Sequence, residues 1–257
     1  MTRKPLIAGN WKMYGRKADL GEISAAHAAV GASIAAVDVV FCPPAPLIPV
    51  AVWTARESAF AIGGQDCSAT AEDAARTGEV SAAMLADAGA RYVIVGHSER
   101  RAQHGESDAL VRKKADAALA AGLVPIICVG ETQAERAAGR AVEIVSGQVE
   151  ASTPGQGGVV VAYEPVWAIG GDRTPTAAEI AEIHGAVRTV LRNKLGEAAA
   201  AVRILYGGSV NPKNAGEIFA TEDVDGALVG RASLKAADFS AIILAHPKAQ
   251  AALRSGN

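Results

Sequence analysis

Val124-Pro125-Ile126-Ile127-Cys128-Val129 is apolar at every position, on both alternating faces of an extended chain. A strand with one face in water alternates apolar and polar residues. A strand apolar throughout is buried on both faces, as in a parallel sheet covered by helices. The same signature returns in Tyr92-Val93-Ile94-Val95 and in Val159-Val160-Val161-Ala162-Tyr163. Working outward, short β-branched runs predict strands over Pro5–Asn10, Asp38–Cys42, Ala59–Gly63, Arg91–Gly96, Leu123–Gly130, Gly158–Glu164, Val202–Gly207 and Asp225–Gly230. Alanine-rich segments with helical spacing lie between them, including Ala18–Ala36, Asp108–Ala121, Thr132–Ala151 and Thr176–Lys194. The last opens with Thr176-Ala177-Ala178-Glu179, a capping-box pattern.

Strand and helix alternate eight times over 257 residues, about 32 residues per unit. That count and length predict an α/β fold, a closed (β/α)8 barrel forming a single domain over residues 1–257. A doubly wound open sheet usually has fewer strands and a Gly-x-Gly-x-x-Gly after the first. Here the first strand runs into Gly9-Asn10-Trp11-Lys12 instead. No repeat, low-complexity tract or linker interrupts the series; Gln156-Gly157-Gly158 reads as a helix-to-strand turn.

Half of the residues are apolar, and 56 are alanine, which suits close packing of many helices. Lys+Arg 25 against Asp+Glu 27 leave a formal net charge of −2. The apolar content excludes a disordered chain. The charge balance argues against nucleic acid as a partner, which calls for a basic surplus on one face. No apolar run approaches the ~20 residues that span a bilayer, so no membrane association is expected. Met1 to Trp11 holds no sustained apolar stretch of the secretory-leader type. Cys42, Cys67 and Cys128 are widely spaced, with no Cys-x-x-Cys pair, which predicts buried thiols and a cytoplasmic protein with neither a disulfide framework nor a zinc cluster.

In such a barrel the chemistry sits at the carboxyl ends of the strands. Those ends carry Asn10 and Lys12 on the first, Gly96-His97-Ser98-Glu99 on the fourth, and Glu164-Pro165 on the sixth. The seventh ends in Gly207-Gly208-Ser209 and the eighth in Gly230-Arg231. A carboxylate closing a buried run is costly unless paired or used, so Glu164 reads as a general base with a raised pKa or as half of a structural ion pair. His97 precedes a helical turn, where the helix end disfavours imidazolium and leaves a neutral ring. Taken alone, it reads equally as a satisfied core histidine, and Lys12 as a solvated surface residue. The glycines before the seventh and eighth helices expose backbone N–H groups at helix starts, an anion cradle. Pro165-Val166-Trp167-Ala168-Ile169-Gly170-Gly171-Asp172-Arg173-Thr174-Pro175 is a long connection with an apolar middle, as a water-excluding lid requires. No second histidine or thiolate stands at ligand spacing, so no metal is expected.

Four runs carry a resemblance to a known family: Ala8-Gly9-Asn10-Trp11-Lys12-Met13, Gly96-His97-Ser98-Glu99-Arg100-Arg101, Ala162-Tyr163-Glu164-Pro165-Val166-Trp167-Ala168-Ile169-Gly170 and Leu205-Tyr206-Gly207-Gly208-Ser209-Val210. In this order they resemble triosephosphate isomerases over essentially the whole chain, and hence the TIM barrel. The resemblance implies interconversion of dihydroxyacetone phosphate and D-glyceraldehyde 3-phosphate through an enediolate, with no cofactor or metal. It implies Glu164 as base, neutral His97 as the group polarising the carbonyl, and Lys12 as a fixed positive charge. Asn10 would orient the substrate, and backbone amides at Gly170, Ser209, Gly230 and Arg231 would hold its phosphate. Pro165, Val166, Trp167, Ala168 and Ile169 would form the lid, with Ile169 and Leu228 keeping Glu164 dry. It also implies a homodimer whose interface uses the loop Gly64–Glu79, with Thr77-Gly78-Glu79 resembling the family pattern.

Two departures stand out. The lid often reads Gly-Thr-Gly-Lys-Thr in this family, whereas Gly170-Gly171-Asp172-Arg173-Thr174-Pro175 adds a carboxylate near an anion site and a proline near the hinge. Arg231 stands where the family usually has the second of two glycines. An isomerase of a four-carbon erythrulose phosphate is the rival reading within the fold. A non-catalytic barrel would be expected to have lost Lys12, His97 or Glu164. A barrel using a Schiff base would need a lysine at the end of the sixth strand, where Glu164 stands.

Overall fold

A computed structural model describes residues 3–169 and 174–255. Eight strands run in chain order around one ring: Leu6–Asn10 (β1), Asp38–Cys42 (β2), Ala61–Gly64 (β3), Tyr92–Val95 (β4), Val124–Val129 (β5), Val160–Tyr163 (β6), Arg203–Tyr206 (β7) and Gly226–Val229 (β8). Each neighbouring pair is parallel, and β8 returns to β1 with Gly226 opposite Leu6. The expected (β/α)8 barrel, a single domain, is what forms.

The double apolar face of the strands now has a cause. Leu6, Ala8, Val40, Cys42, Ile94, Ile126, Cys128, Val160, Ala162, Leu205 and Leu228 meet inside the ring. The alternate residues, such as Ile7, Val39, Val93, Val95, Ile127, Val161 and Ile204, pack outward in a larger cluster with the helices. Both clusters exclude water, so neither face could be polar. All three cysteines are buried free thiols. Burial pushes the Cys42 and Cys67 thiols up to about 12.

Helix boundaries differ from expectation in two places. The stretch Ala18–Ala36 is an α-helix only over Gly21–Val30, flanked by 3-10 turns at Lys17–Leu20 and Gly31–Ala36. Thr132–Ala151 is two helices, Gln133–Ala137 and Ala141–Ser152, because Gly139 between them adopts φ +71°, which ends a right-handed helix. The helix Asp108–Ala120 follows expectation. So does Ala177–Leu195, where the Thr176 hydroxyl accepts from Glu179 N–H and the Glu179 carboxylate accepts from Thr176 N–H. Among the described residues, no helix is long and apolar enough to cross a membrane.

Candidate active site

At the carboxyl ends of the strands lies a cavity of about 810 Å³, lined by Asn10, Lys12, His97 and Glu164. Ile169, Ser209, Leu228, Gly230 and Arg231 complete its wall. Residues far apart in sequence are brought together because they gather at the carboxyl ends of the strands: Asn10 closes β1, Leu228 lies near the end of β8, and Lys12, His97, Glu164, Gly230 and Arg231 are the first or second positions past their strands.

The β1 end is built around an unusual backbone. Lys12 has φ +52°, a left-handed conformation that costs a non-glycine residue about 1–3 kcal/mol. Two side chains hold it there. The Asn10 Oδ1 accepts from Lys12 N–H at 2.9 Å, and the Gln65 amide donates to the carbonyls of Lys12 at 2.7 Å and of Cys42 at 2.8 Å. Lys12 Nζ lies 2.5 Å from Glu99 Oε1.

At the β4 end, His97 caps the helix Ser98–His104. Its Nδ1 accepts from Glu99 N–H at 3.2 Å, which puts the ring proton on Nε2. Nε2 lies 2.8 Å from Glu164 Oε1, and the other Glu164 oxygen accepts from Ser98 N–H at 2.9 Å. Burial alone pushes the Glu164 pKa up. The neighbouring His97, the Ser98 amide and Lys12 outweigh it, and the net position is below the usual carboxylate value. The expected raised pKa is therefore corrected for this arrangement: the desolvation is present, but donors overcompensate it. Burial pushes His97 down, and the Glu164 charge and hydrogen bond push it further up, leaving it above the usual histidine value. The neutral ring expected from the helix end is favoured at Nδ1 but opposed by the carboxylate at Nε2.

The opposite wall needs one correction. Gly207-Gly208-Ser209 does not open a helix directly. Asn211 and Asn214 form side-chain-to-backbone turns after it, and the short helix Ala215–Phe219 starts later. The eighth strand does lead straight from Gly230 into a 3-10 turn, Arg231–Leu234. Trp11 Nε1 donates to the Ser233 carbonyl at 3.1 Å and ties this turn to β1. Arg231 is not among the described non-glycine residues with positive φ, which are Lys12 and Asp223, so an arginine fits there without backbone strain.

Of the expected lid residues, Ile169 lines the cavity with Leu228. Pro165, Val166, Trp167 and Ala168 do not; they anchor the segment instead. Val166 N–H donates to the Glu131 carbonyl at 3.2 Å. Trp167 Nε1 and the Tyr163 hydroxyl donate to Glu131 Oε1 at 2.7 and 3.1 Å. Arg136 reaches Glu131 at 3.3 Å and Glu179 at 3.0 Å, so one guanidinium bridges the carboxylates that serve both ends of the connection. Gly170 and Asp172 lie outside the described residues, whereas Pro175 is described and buried. Gln65, Glu99 and Glu131 join the site without a role expected from sequence. Gln65 and Glu131 are polar residues one and two positions past β3 and β5, the signal that marks the others, whereas Glu99 lies in the first turn of the helix after β4.

The family profile for triosephosphate isomerase matches residues 5–246. The chain belongs to the triosephosphate isomerase family. It is 57% identical to the triosephosphate isomerase of Afipia carboxidovorans over 95% of this chain and 98% of that protein. It is 56% identical to the one from Ruegeria pomeroyi, over 95% and 97%. The solved structure of triosephosphate isomerase from Bartonella henselae superposes with a TM-score of 0.86 at 43% identity, covering 94% of this chain and 98% of that one.

Proposed function

We infer that the chain is an aldose–ketose isomerase acting on triose phosphates, interconverting dihydroxyacetone phosphate and D-glyceraldehyde 3-phosphate in glycolysis and gluconeogenesis. The observation that carries this is the placement of Glu164 and His97, 2.8 Å apart, on one wall of a cavity that also holds Lys12.

Glu164 is the base. It is 2% exposed, so little water competes for its oxygens. To reach a substrate carbon it releases His97 and the Ser98 amide, the two hydrogen-bonding groups that, with the Lys12 charge, lower its pKa. With both gone, burial dominates and its basicity rises. The substrate carbonyl takes the carboxylate's place at the His97 Nε2–H. The ring then loses the charge that raised its pKa and becomes a neutral donor, able to move a proton between the two substrate oxygens. Each step conserves protons: one leaves carbon to Glu164 and returns to the adjacent carbon, while an enediolate forms and collapses. Lys12 offers a positive charge to the enediolate and phosphate, in exchange for part of its bond to Glu99. Asn10 holds Lys12 and orients substrate. Amides of Gly170, Ser209, Gly230 and Arg231 bind the phosphate, consistent with free N–H groups in the first turn after β8. Ile169 and Leu228 keep water away, which strengthens every charged contact and suppresses phosphate elimination from the enediolate.

The same reading makes the protein a cytoplasmic homodimer. Met13, beside Lys12, is 92% exposed, and Tyr14 and Met84 are about half exposed, more apolar surface than a monomer rim needs. A second cavity of about 760 Å³ opens next to them, lined by Met13, Gln65, Glu99 and Lys114. The loop Gly64–Glu79 of a second copy is proposed to fill it. Light scattering at micromolar concentration should return twice the 26.1 kDa chain mass.

The test of the mechanism is a coupled assay with glyceraldehyde 3-phosphate on wild type and Glu164→Asp. Shortening the side chain by one methylene retracts the carboxylate by more than an ångström, which should cost at least about 10²-fold in kcat. Equal activity in the variant would remove Glu164 as base.

A further inference from the structure

Among the described residues, the charged ones lining the cavity are Lys12, Arg231, Glu99, Glu164 and Asp238. Carboxylates outnumber cations. Lys12 is already paired, at 2.5 Å, with Glu99. A ligand carrying a phosphate dianion therefore enters a site whose described side chains bear a negative surplus, and oriented backbone amides supply only partial charges against it. Arg231 is the exception. It is exposed at the rim and makes no ion pair or side-chain hydrogen bond with any described residue. It opens the turn Arg231–Leu234, next to Gly230, whose Cα faces the Lys12 side chain across the cavity: a Cβ there would meet Lys12 Cε at 3.8 Å and nothing nearer.

We propose that the Arg231 side chain is a specificity-determining contact, a rim cation that draws in the substrate's phosphate and pairs with it. The inference rests on the reading of this cavity as the triose phosphate site. The family's usual glycine at this position offers only a backbone N–H. Arg231 adds a guanidinium whose planar donor fork matches two phosphate oxygens. The placement makes physical sense. A long side chain on the rim finds the dianion in solvent, where a paired lysine deeper in the site cannot. Moving the charge outward also leaves the floor around Glu164 and His97 unaltered, so that Lys12 remains the cation nearest the reacting carbons.

The experiment compares wild type, Arg231→Gln and Arg231→Lys on glyceraldehyde 3-phosphate as salt rises from about 10 to about 150 mM, across which the screening length falls from about 30 to about 8 Å. Inorganic phosphate is used as competitive inhibitor, and unphosphorylated glyceraldehyde as a substrate lacking the anion. For Arg231→Gln, kcat/KM at low salt should fall about three- to tenfold, carried by KM, with a shallower salt dependence and weaker phosphate inhibition. Arg231→Lys should recover most of the salt dependence, and the rate on glyceraldehyde should not follow the loss. Equal salt slopes in wild type and Arg231→Gln, or a parallel loss on glyceraldehyde, would overturn the proposal. Wild type inactive on glyceraldehyde 3-phosphate would overturn the site reading itself.

Discussion

Lys12 and His184 show how single side chains carry consequences outside their immediate neighbourhood. The left-handed backbone at Lys12 persists because Gln65 bonds the Lys12 and Cys42 carbonyls. Gln65→Leu takes the side-chain donor from the Lys12 carbonyl and frees the lysine backbone, while the Cys42 carbonyl keeps the Trp11 N–H. The expected outcome is a loss of about 1–3 kcal/mol in urea unfolding, with kcat down at least about tenfold as Lys12 loses its position. His184 is fully buried, with Nδ1 3.0 Å from the Asp223 carbonyl and Nε2 without a hydrogen-bond partner among the described residues. Burial pushes its pKa down to about 4, and that of His246 likewise to about 4. In the unfolded chain both titrate near the ordinary value of about 6.5. Between those limits the unfolded state binds protons that the folded state refuses, so stability falls as pH drops from about 6.5 toward about 4. His97, raised rather than lowered, contributes with the opposite sign. For His184 alone the loss from pH 7 to pH 5 is on the order of 2 kcal/mol. Urea midpoints of His184→Asn, which keeps a donor for the Asp223 carbonyl, should depend less steeply on pH over that range.

Among elements, the strands were legible in sequence because both their faces are buried, which leaves an unbroken apolar run. Strand ends were legible too, since a polar residue closing such a run has few structural excuses; Asn10, His97 and Glu164 were all found that way. Helix ends were harder. Alanine propagates helix indifferently, so Thr132–Ala151 read as one element until the left-handed Gly139 divided it. What sequence could not supply were contacts between units. Gln65 acts on Lys12, and the Glu164 pKa is set by a histidine in a different βα unit. The capping box at Thr176 was readable because its partners are three residues apart. Thr176→Ala should cost the helix Ala177–Leu195 about 1 kcal/mol, lowering Tm by about 2–4 °C in a calorimetric scan.

For the whole molecule, ring closure depends on a close backbone approach. Gly226 has φ +142°, and a Cβ at that position would overlap the Leu6 carbonyl. The effect of Gly226→Ala should exceed that of an ordinary core substitution, with a loss above about 3 kcal/mol in urea unfolding, because both the conformation and the space are denied. The β8–β1 pairing also bears on how the chain is made. Leu6 waits for Gly226, about 220 residues of synthesis, or about 10 to 45 s on a ribosome. Throughout that interval β1 presents an open edge beside an apolar face. The finished barrel exposes no strand edge at all, so the danger of misassembly is concentrated in the nascent chain, and the last strand to emerge is the one that removes it.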